Sequence, residues 1–500
     1  MQSDICDKQL ITELTADLSL PDYLPEIKRL LRVRACAVPP DKYIGAGNAE
    51  FSGRIDYTIL YTGNDGALYT ATESGEYQFS VPLESTADFE LNEGLTCNVE
   101  CVPEGAVGRV AAPRRLSLKC RLRSRVRIWG VKLVEEQVAC PDAAQLQRLL
   151  GQTEAARRFL GMSEPITLGD EILTDPDSAD LRMISAEAEV YVSEAEARSG
   201  TVNCRGEVCL KLLYCHENAP LPPLTLQRRI PFSHAVTVDG VEVNCDACAD
   251  GVATDLQVSV EDGRILCEVV ILLRAMAQRN ETISYTRDLY STSALSDTRT
   301  VHCTLPRAER CLNGNFSLNT TLSLEEAGLR AGLTPIDLTL TPSVSTLEWE
   351  TGKAVLCGHC RVSALLFDGE DVSVQEFEIP FRYISDACNS ITDYDVSVEP
   401  ISCRARTDSE RIAVDAELAV CMATRSEVSF DMLAEARMGE ELHTSGAMLT
   451  VCYPAREDTL WSVAKRYHRP ISDIAERNSL PGAPAADSPE SLAGISYLVV

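Results

Sequence analysis

The sequence predicts a mainly β protein: three tandem copies of one β-rich unit, sandwich-like or barrel-like, followed by a small βααβ domain. Three observations carry this. Long stretches alternate apolar and polar residues, the period of a strand with one buried face. One unit recurs at a spacing of about 149 residues. The last fifty or so residues (roughly, by pattern) change register and show two short stretches of helical period.

The recurrence is legible in quoted form. GRIDYTILYTGNDGALY from Gly53, GEVCLKLLYCHENAPLP from Gly206 and GHCRVSALLFDGEDVSV from Gly358 each give a glycine, an alternating strand ending in Tyr or Phe, and a polar turn. The turns are Asn64-Asp65-Gly66, His216-Glu217-Asn218 and Asp368-Gly369-Glu370, the chemistry of β-hairpins. The returning strands carry Pro82, Pro231 and Pro380, each 149 residues from the next. Proline lacks the ladder donor, so these positions are expected at a strand end or a sheet edge. A later strand starts at Arg115, Arg264 and Arg411, spaced by 149 and 147 residues. A period this long means duplicated domains rather than a solenoid.

Between the copies the pattern is less regular. CPDAAQLQRLLGQTEAARRFLG, with Pro141-Asp142 as a cap and Leu146, Leu149 and Leu150 on one face, is expected to be a helix. PDYLPEIKRLL is expected to supply a short helix after Pro25. The expected division is 1–140 for the first repeat with its N-terminal segment, 141–300 for a helical linker and the second repeat, 301–445 for the third, and 446–500 for the tail.

In the tail, Val451 to Tyr453 alternates as a strand. Asp458 or Thr459 caps a helix with Leu460, Val463, Ala464 and Tyr467 at i, i+3, i+4 and i+7. Pro470 ends it, Ser472 caps a second helix carrying Ile474 and Ala475, Asn478 terminates that helix, and GISYLVV closes the chain as a strand.

These residues carry a resemblance. DTLWSVAKRY followed by ISDIAERNSL is similar to a LysM domain, on Asp-Thr-Leu, an aliphatic-Ala pair, an aromatic and a later Asn. LysM domains commonly bind N-acetylglucosamine glycans at the loop before the first helix, where the usual glycine is Glu457 here. A carboxylate in that loop counts against sugar. The repeats resemble the SPOCS domain of endospore-forming Firmicutes, and LPDYLPEIKRLL is similar to the Leu-Pro-x-x-x-Pro-x-Ile segment that often precedes it. Several such units before a LysM domain is the layout of clostridial spore-coat morphogenetic proteins. The resemblance implies a non-enzymatic scaffold in the mother-cell cytoplasm, at the forespore surface. Its LysM domain would dock on the ATPase that polymerises into the coat basement layer, while the repeats recruit or self-associate. The implied contact residues are Asp458, Thr459, Trp461, Lys465, Tyr467 and Asn478, of which Asp458 and Asn478 equally serve as caps. The alternative is a peptidoglycan-binding protein of the cell or spore envelope.

Composition agrees with a soluble scaffold. Five hundred residues exceed one core, and 45% apolar with 24% charged residues is ordinary for a globular chain. The net charge of −29 argues against nucleic acid and anionic membranes as general partners. The first twenty residues contain no apolar segment of a secretory signal. VVILL, the longest aliphatic run, is far below the roughly 20 residues that span a bilayer. Twenty cysteines lie mostly inside alternating strands, where buried free thiols act as small hydrophobes. Cys245/Cys248 and Cys357/Cys360 are Cys-x-x-Cys pairs, but i and i+3 on a strand face opposite ways and neither has a second pair at zinc spacing. DPDSAD at Asp175 lacks the glycine and distal glutamate of a calcium loop. No metal, no cofactor and no catalysis are expected, since no Walker loop, H-E-x-x-H or G-x-S-x-G is present.

Two charge and aromatic features stand out. Trp461, one of three tryptophans, lies beside the inward stripe of its helix, which favours an exposed anchor over a core residue. Arg115, Lys119, Arg121, Arg123, Arg125 and Arg127 alternate with Leu116, Leu118, Cys120, Leu122, Val126 and Ile128, so they form one basic strand face. That face either meets a partner or, the favoured reading, pairs with carboxylates such as Glu84, Glu90 or Glu93.

Overall fold

The computed structural model describes residues 2–45, 47–83, 95–131, 137–139, 145–173, 181–261, 264–323, 332–386, 390–407, 411–442, 449–480, 487–488, 492 and 494–500. Alternation has become strand nearly everywhere. The first unit contains β1 (Gln2–Ser19), β2 (Ile27–Ala37), β3 (Asp41–Ile44), β4 (Asn48–Gly63), β5 (Leu68–Pro82), β6 (Thr96–Ala112) and β7 (Arg115–Val131), followed by β8 (Gln137–Ala139). In one antiparallel sheet β4 is flanked by β5 and by β2 with β3, and the second sheet has the order β1-β7-β6.

The second unit repeats this plan with β9 (Leu146–Met162), β10 (Ile166–Leu173), β11 (Leu181–Arg198), β12 (Thr201–His216), β13 (Ala219–Thr237), β14 (Asp246–Glu261) and β15 (Arg264–Ser291). Its sheets are β11-β12-β13, and β15 between β14 and the successive strands β10 and β9. The third contains β16 (Ala294–Ser323), β17 (Thr334–Glu350), β18 (Lys353–Phe367), β19 (Val372–Asp386), β20 (Asp393–Thr407) and β21 (Arg411–Glu441), in sheets β17-β18-β19 and β16-β21-β20. Each unit is thus two separate sheets around an apolar core, a sandwich rather than a closed barrel. Ile55, Ile59 and Leu118 fill the first core, Leu212, Val269 and Ile271 the second, and Val362, Val414 and Leu418 the third. Each such side chain contributes about 1.5–3 kcal/mol on burial.

The repeated signature has a packing reason. Gly53 pairs with Tyr77, Gly206 with Phe232 and Gly358 with Phe381. In each pair the aromatic ring of the returning strand lies over the glycine, where a Cβ would stand 2.5, 2.8 or 2.4 Å from it. Pro82 ends β5, while Pro231 and Pro380 sit within β13 and β19, both edge strands. The expectation of a strand end or edge therefore holds at all three.

The units close into a ring. β5 of the first touches β11 of the second, β13 of the second touches β17 of the third, and β19 of the third touches β2 of the first. Leu60, Leu213 and Leu365, each seven residues after its repeat glycine, meet with Leu68, Cys215 and Val372 in one shared apolar cluster. Around it run ion pairs between units: Arg32 to Asp337 at 2.6 Å, Arg34 to Glu187 at 3.1 Å and Lys211 to Asp337 at 3.0 Å.

Two expected helices are strands. Leu146–Met162 is β9, paired along the extended end of β15, and Leu150 points to solvent. Ile27–Ala37 is β2, paired with β4 through two bulges. Both segments have helix-forming composition, but a neighbouring strand offers each a complete ladder, and tertiary pairing outweighs the few tenths of a kcal/mol per residue of local propensity. Pro141 and Asp142, the expected cap, and Asp175 lie outside the described residues.

The far ends of β15 and β21 run beyond the sandwiches. β9 with β15 and β16 with β21 pack face to face there, around Ala155, Leu305, Phe430 and Met432. On the tip of this stalk sits the tail: β22 (Val451–Cys452), α1 (Leu460–Tyr467), α2 (Ile471–Arg477) and β23 (Leu498–Val499), the expected strand-helix-helix-strand, with β22 and β23 antiparallel.

Candidate docking site

The tail starts from its caps. Thr459 is the N-cap of α1; its Oγ1 accepts from the Ser462 backbone N–H at 3.0 Å, and Ser462 Oγ accepts from the Thr459 N–H at 2.9 Å, a reciprocal capping box. Asp458 accepts from the Ala455 N–H at 2.9 Å and from Arg466 at 2.6 Å. Those donors, Arg466 foremost, hold its carboxyl below the ordinary range. Asn478 ties α2 to the last strand: its Nδ2 donates to the carbonyls of Ile474 and Val499, and its Oδ1 accepts from Val499 N–H, each at 2.8 Å. Tyr467 is half-buried against the small core. α2 begins at Ile471 after an N-cap at Pro470, so Ser472 lies in the first turn rather than at the cap.

Helix α1 has two occupied faces. Leu460, Val463 and Ala464 are buried in the tail's own core, with Tyr467 packed against it. The second face, Trp461 and Lys465 four residues apart, continues past the helix end at His468 and Arg469. It lies on residues Asp288 to Ser291 at the end of β15. Trp461 Nε1 donates to Asp288 Oδ2 at 2.8 Å, and Lys465 Nζ reaches Oδ1 and Oδ2 of the same carboxylate at 2.7 and 2.8 Å. The Tyr290 and Trp461 rings meet edge to face at 5.0 Å, and the Tyr290 hydroxyl donates to the Arg469 carbonyl at 2.7 Å. His468, in the left-handed conformation at φ 53°, brings Nδ1 within 3.0 Å of the Ser291 carbonyl oxygen.

The expectation that Trp461 is exposed is corrected here: the side chain is only 5% exposed. The helical stripe was read correctly, but β15 covers the neighbouring face, which local periodicity does not encode. Tyr290 burial completes the tail core and pushes the phenol well above its ordinary pKa. What the tail does present is Tyr453, just after β22, and Tyr497, just before β23, which are 77% and 56% exposed.

The basic strand face divides in two. The alternation holds along β7, with the apolar set buried. Arg115 and Lys119 are exposed, and Arg121 and Arg123 share Glu104 at 3.1 Å each. Arg125 pairs with Asp7 at 3.1 Å and donates to the Tyr394 carbonyl. Arg127 is buried between units, against Asp393 and, at 2.9 Å, Asp395. Both carboxylates are also held by Arg425, at 2.6 Å each. Burial alone would raise Asp395; the Arg425 and Arg127 guanidiniums overcome it and hold the acid well below the usual range. The pairing reading thus covers Arg121 to Arg127, with partners on β1, β6 and β20. Glu84, Glu90 and Glu93 lie outside the described residues.

Where the three units meet, a cavity of about 480 Å³ is lined by Arg34, Glu100, Glu189, Arg361 and Glu399 among others. Burial pushes Glu100 and Glu399 upward, and the Glu189 carboxylate adds to the rise at Glu399. Cys357 and Cys360 are free thiols on opposite faces of β18, with Cys360 in the core. Among the described residues no group of three or more His, Cys, Asp or Glu side chains is arranged to hold a metal ion, and no helix is long and apolar enough to cross a membrane.

No curated protein and no solved structure matches the chain. Residues 181–261, which are β11 to β14 of the second sandwich, match the family model described as SipL, SPOCS domain.

Proposed function

We propose that the protein is a non-enzymatic scaffold of endospore coat assembly, working in the mother-cell cytoplasm at the forespore surface. Three SPOCS-type units, over 1–140, 141–300 and 301–445, form the body, and a LysM-type domain over 446–500 is the adaptor. The match of residues 181–261 to the SPOCS domain carries this reading, and the same topology in the other two units extends it along the chain. The adaptor docks on the ATPase of the coat basement layer. A polymer of that ATPase presents many copies of one weak site, so effective concentration multiplies the contact.

The tail's place at the tip of a stalk supports an adaptor role, since the body holds it clear of the ring. The test is co-purification with the basement-layer ATPase of the same organism as bait, comparing the full chain with a 1–445 truncation. Capture that needs the tail supports the reading. Capture that is unchanged without the tail moves the interface to the β units, and retention of the full chain on purified peptidoglycan, lost on truncation, would replace the adaptor with a glycan-binding module.

A further inference from the structure

The second face of α1 is occupied by a segment of the chain itself, and that segment defines the chemistry the face accepts. Asp288 and Tyr290 point to the helix, while Leu289 between them is buried on the other side of β15 against Leu433 and Ala436. Strand period two thus matches helix period 3.6: a carboxylate meets Trp461 and Lys465, and a phenol two residues on meets the Trp461 ring and the Arg469 carbonyl. The ladder between β15 and β9 shifts register between Thr286 and Asp288, immediately before this segment.

We propose that this face is a recognition groove for an extended protein segment bearing a carboxylate two residues before an aromatic hydroxyl. In the structure described here the groove is filled in cis by Asp288 to Ser291, and a partner carrying the same motif enters by displacing them. The inference rests on the adaptor reading for the partner's role, but not for the groove's chemistry. A second copy of Asp-x-Tyr in trans gains the same charge-assisted hydrogen bonds and the same ring contact that hold the cis segment. The tail then stays folded on its inward stripe, Leu460, Val463 and Ala464, and exchanges the cis Tyr290 of its core for the aromatic ring of the partner.

The experiment uses the full chain and a labelled peptide of residues 283–293, ISYTRDLYSTS, which contains no coat protein. Asp288→Lys sets a cation against Lys465 and vacates the groove. Fluorescence anisotropy is expected to show at least tenfold tighter peptide binding by this variant than by the unaltered chain. A peptide with its aspartate changed to lysine is expected to lose that gain, and Tyr453→Ala added to the variant is expected to keep it. Hydrogen exchange over residues 460–469 checks that the cis contact has opened, and Tyr290→Ala provides a second way to open it. If exchange rises and no peptide binds, the groove is not a recognition site. If neither variant raises exchange, the contact is a permanent part of the core and the proposal fails. Either failure leaves the ATPase co-purification to be scored on its own.

Discussion

The indole Nε1 of Trp461 donates a 2.8 Å hydrogen bond to Oδ2 of Asp288, 173 residues earlier in the chain. This bond, with Lys465 on the same carboxylate, fastens the tail to the stalk. Trp461→Phe keeps a ring against Tyr290 but removes one donor, and is expected to loosen the tail by about 1–2 kcal/mol. Trp461→Ala removes the ring as well and is expected to cost about 3–5 kcal/mol. Hydrogen exchange should report both losses in α1 and α2, with β4, β12 and β18 of the ring unchanged. Faster exchange in the ring strands would mean that the tail is part of the body rather than a module seated on it.

The buried cluster of Arg127, Arg425, Asp393 and Asp395 joins the first and third units. Removing one partner strands charge in the interior, so Arg425→Ala is expected to destabilise by about 3–5 kcal/mol. Because Arg127 and Arg425 share both carboxylates, the double alanine variant should cost less or more than the sum of its parts by at least about 0.5 kcal/mol. Urea denaturation of the four members of the cycle measures this. Strict additivity would show that the two arginines act on separate sites.

The charges also set a pH profile. Glu187, Asp337, Asp393 and Asp395 are lowered: burial would raise each, but Lys211, Arg34, Arg32, Arg425 and Arg127 overcome it. Their stabilisation is present above the ordinary carboxylate range of about 4 and is lost as pH falls through the lowered values. Glu100 and Glu399 are raised, so the folded state binds their protons more tightly and stability falls as pH rises from about 4.3 through the raised values. Glu399→Gln is therefore expected to raise the thermal midpoint at pH 8 and to change it little at pH 5. An equal shift at both values would assign the effect to packing instead of charge.

What the sequence makes legible follows from the range of the forces. Hairpins around Gly66 and Gly369, the edge prolines and the βααβ order depend on neighbours within a few residues, and they are all present. β9 reads as a helix because Leu146, Leu149 and Leu150 fall on one helical face, whereas its ladder partner, residues 274–291, lies more than a hundred positions away. Trp461 was misplaced for the same reason: Asp288 and Tyr290 are distant in sequence. A sequence signal for its seat does exist, in the i, i+4 spacing of Trp461 and Lys465. The closure of the three units into a ring has a trace only in the equivalent positions of Leu60, Leu213 and Leu365.

The repeat glycines give a graded prediction that tests the ring and the sandwich together. A Cβ on Gly206 would stand 2.0 Å from the Tyr191 carbonyl oxygen, and one on Gly358 would stand 2.3 Å from that of Ser343. Both obstacles are backbone within the same sheet, so relief requires the strands to separate. At Gly53 the nearest atoms belong to the Tyr77 ring, at 2.5 Å, and a side chain yields more easily. At Gly75 the nearest atom is 3.5 Å away, ordinary contact. Alanine at Gly206 and Gly358 is expected to cost about 3 kcal/mol, the upper end for overpacking, and at Gly53 about 1. Gly75→Ala is expected to be neutral or to stabilise by about 0.4–1 kcal/mol through the unfolded chain. Because the hairpin tips share one apolar cluster and ion pairs cross every boundary, each variant should shift a single cooperative melt rather than release one unit. Calorimetry reads both the order and the cooperativity: a separate low-temperature transition in Gly206→Ala would show the second sandwich unfolding alone, and the ring contacts would then contribute little.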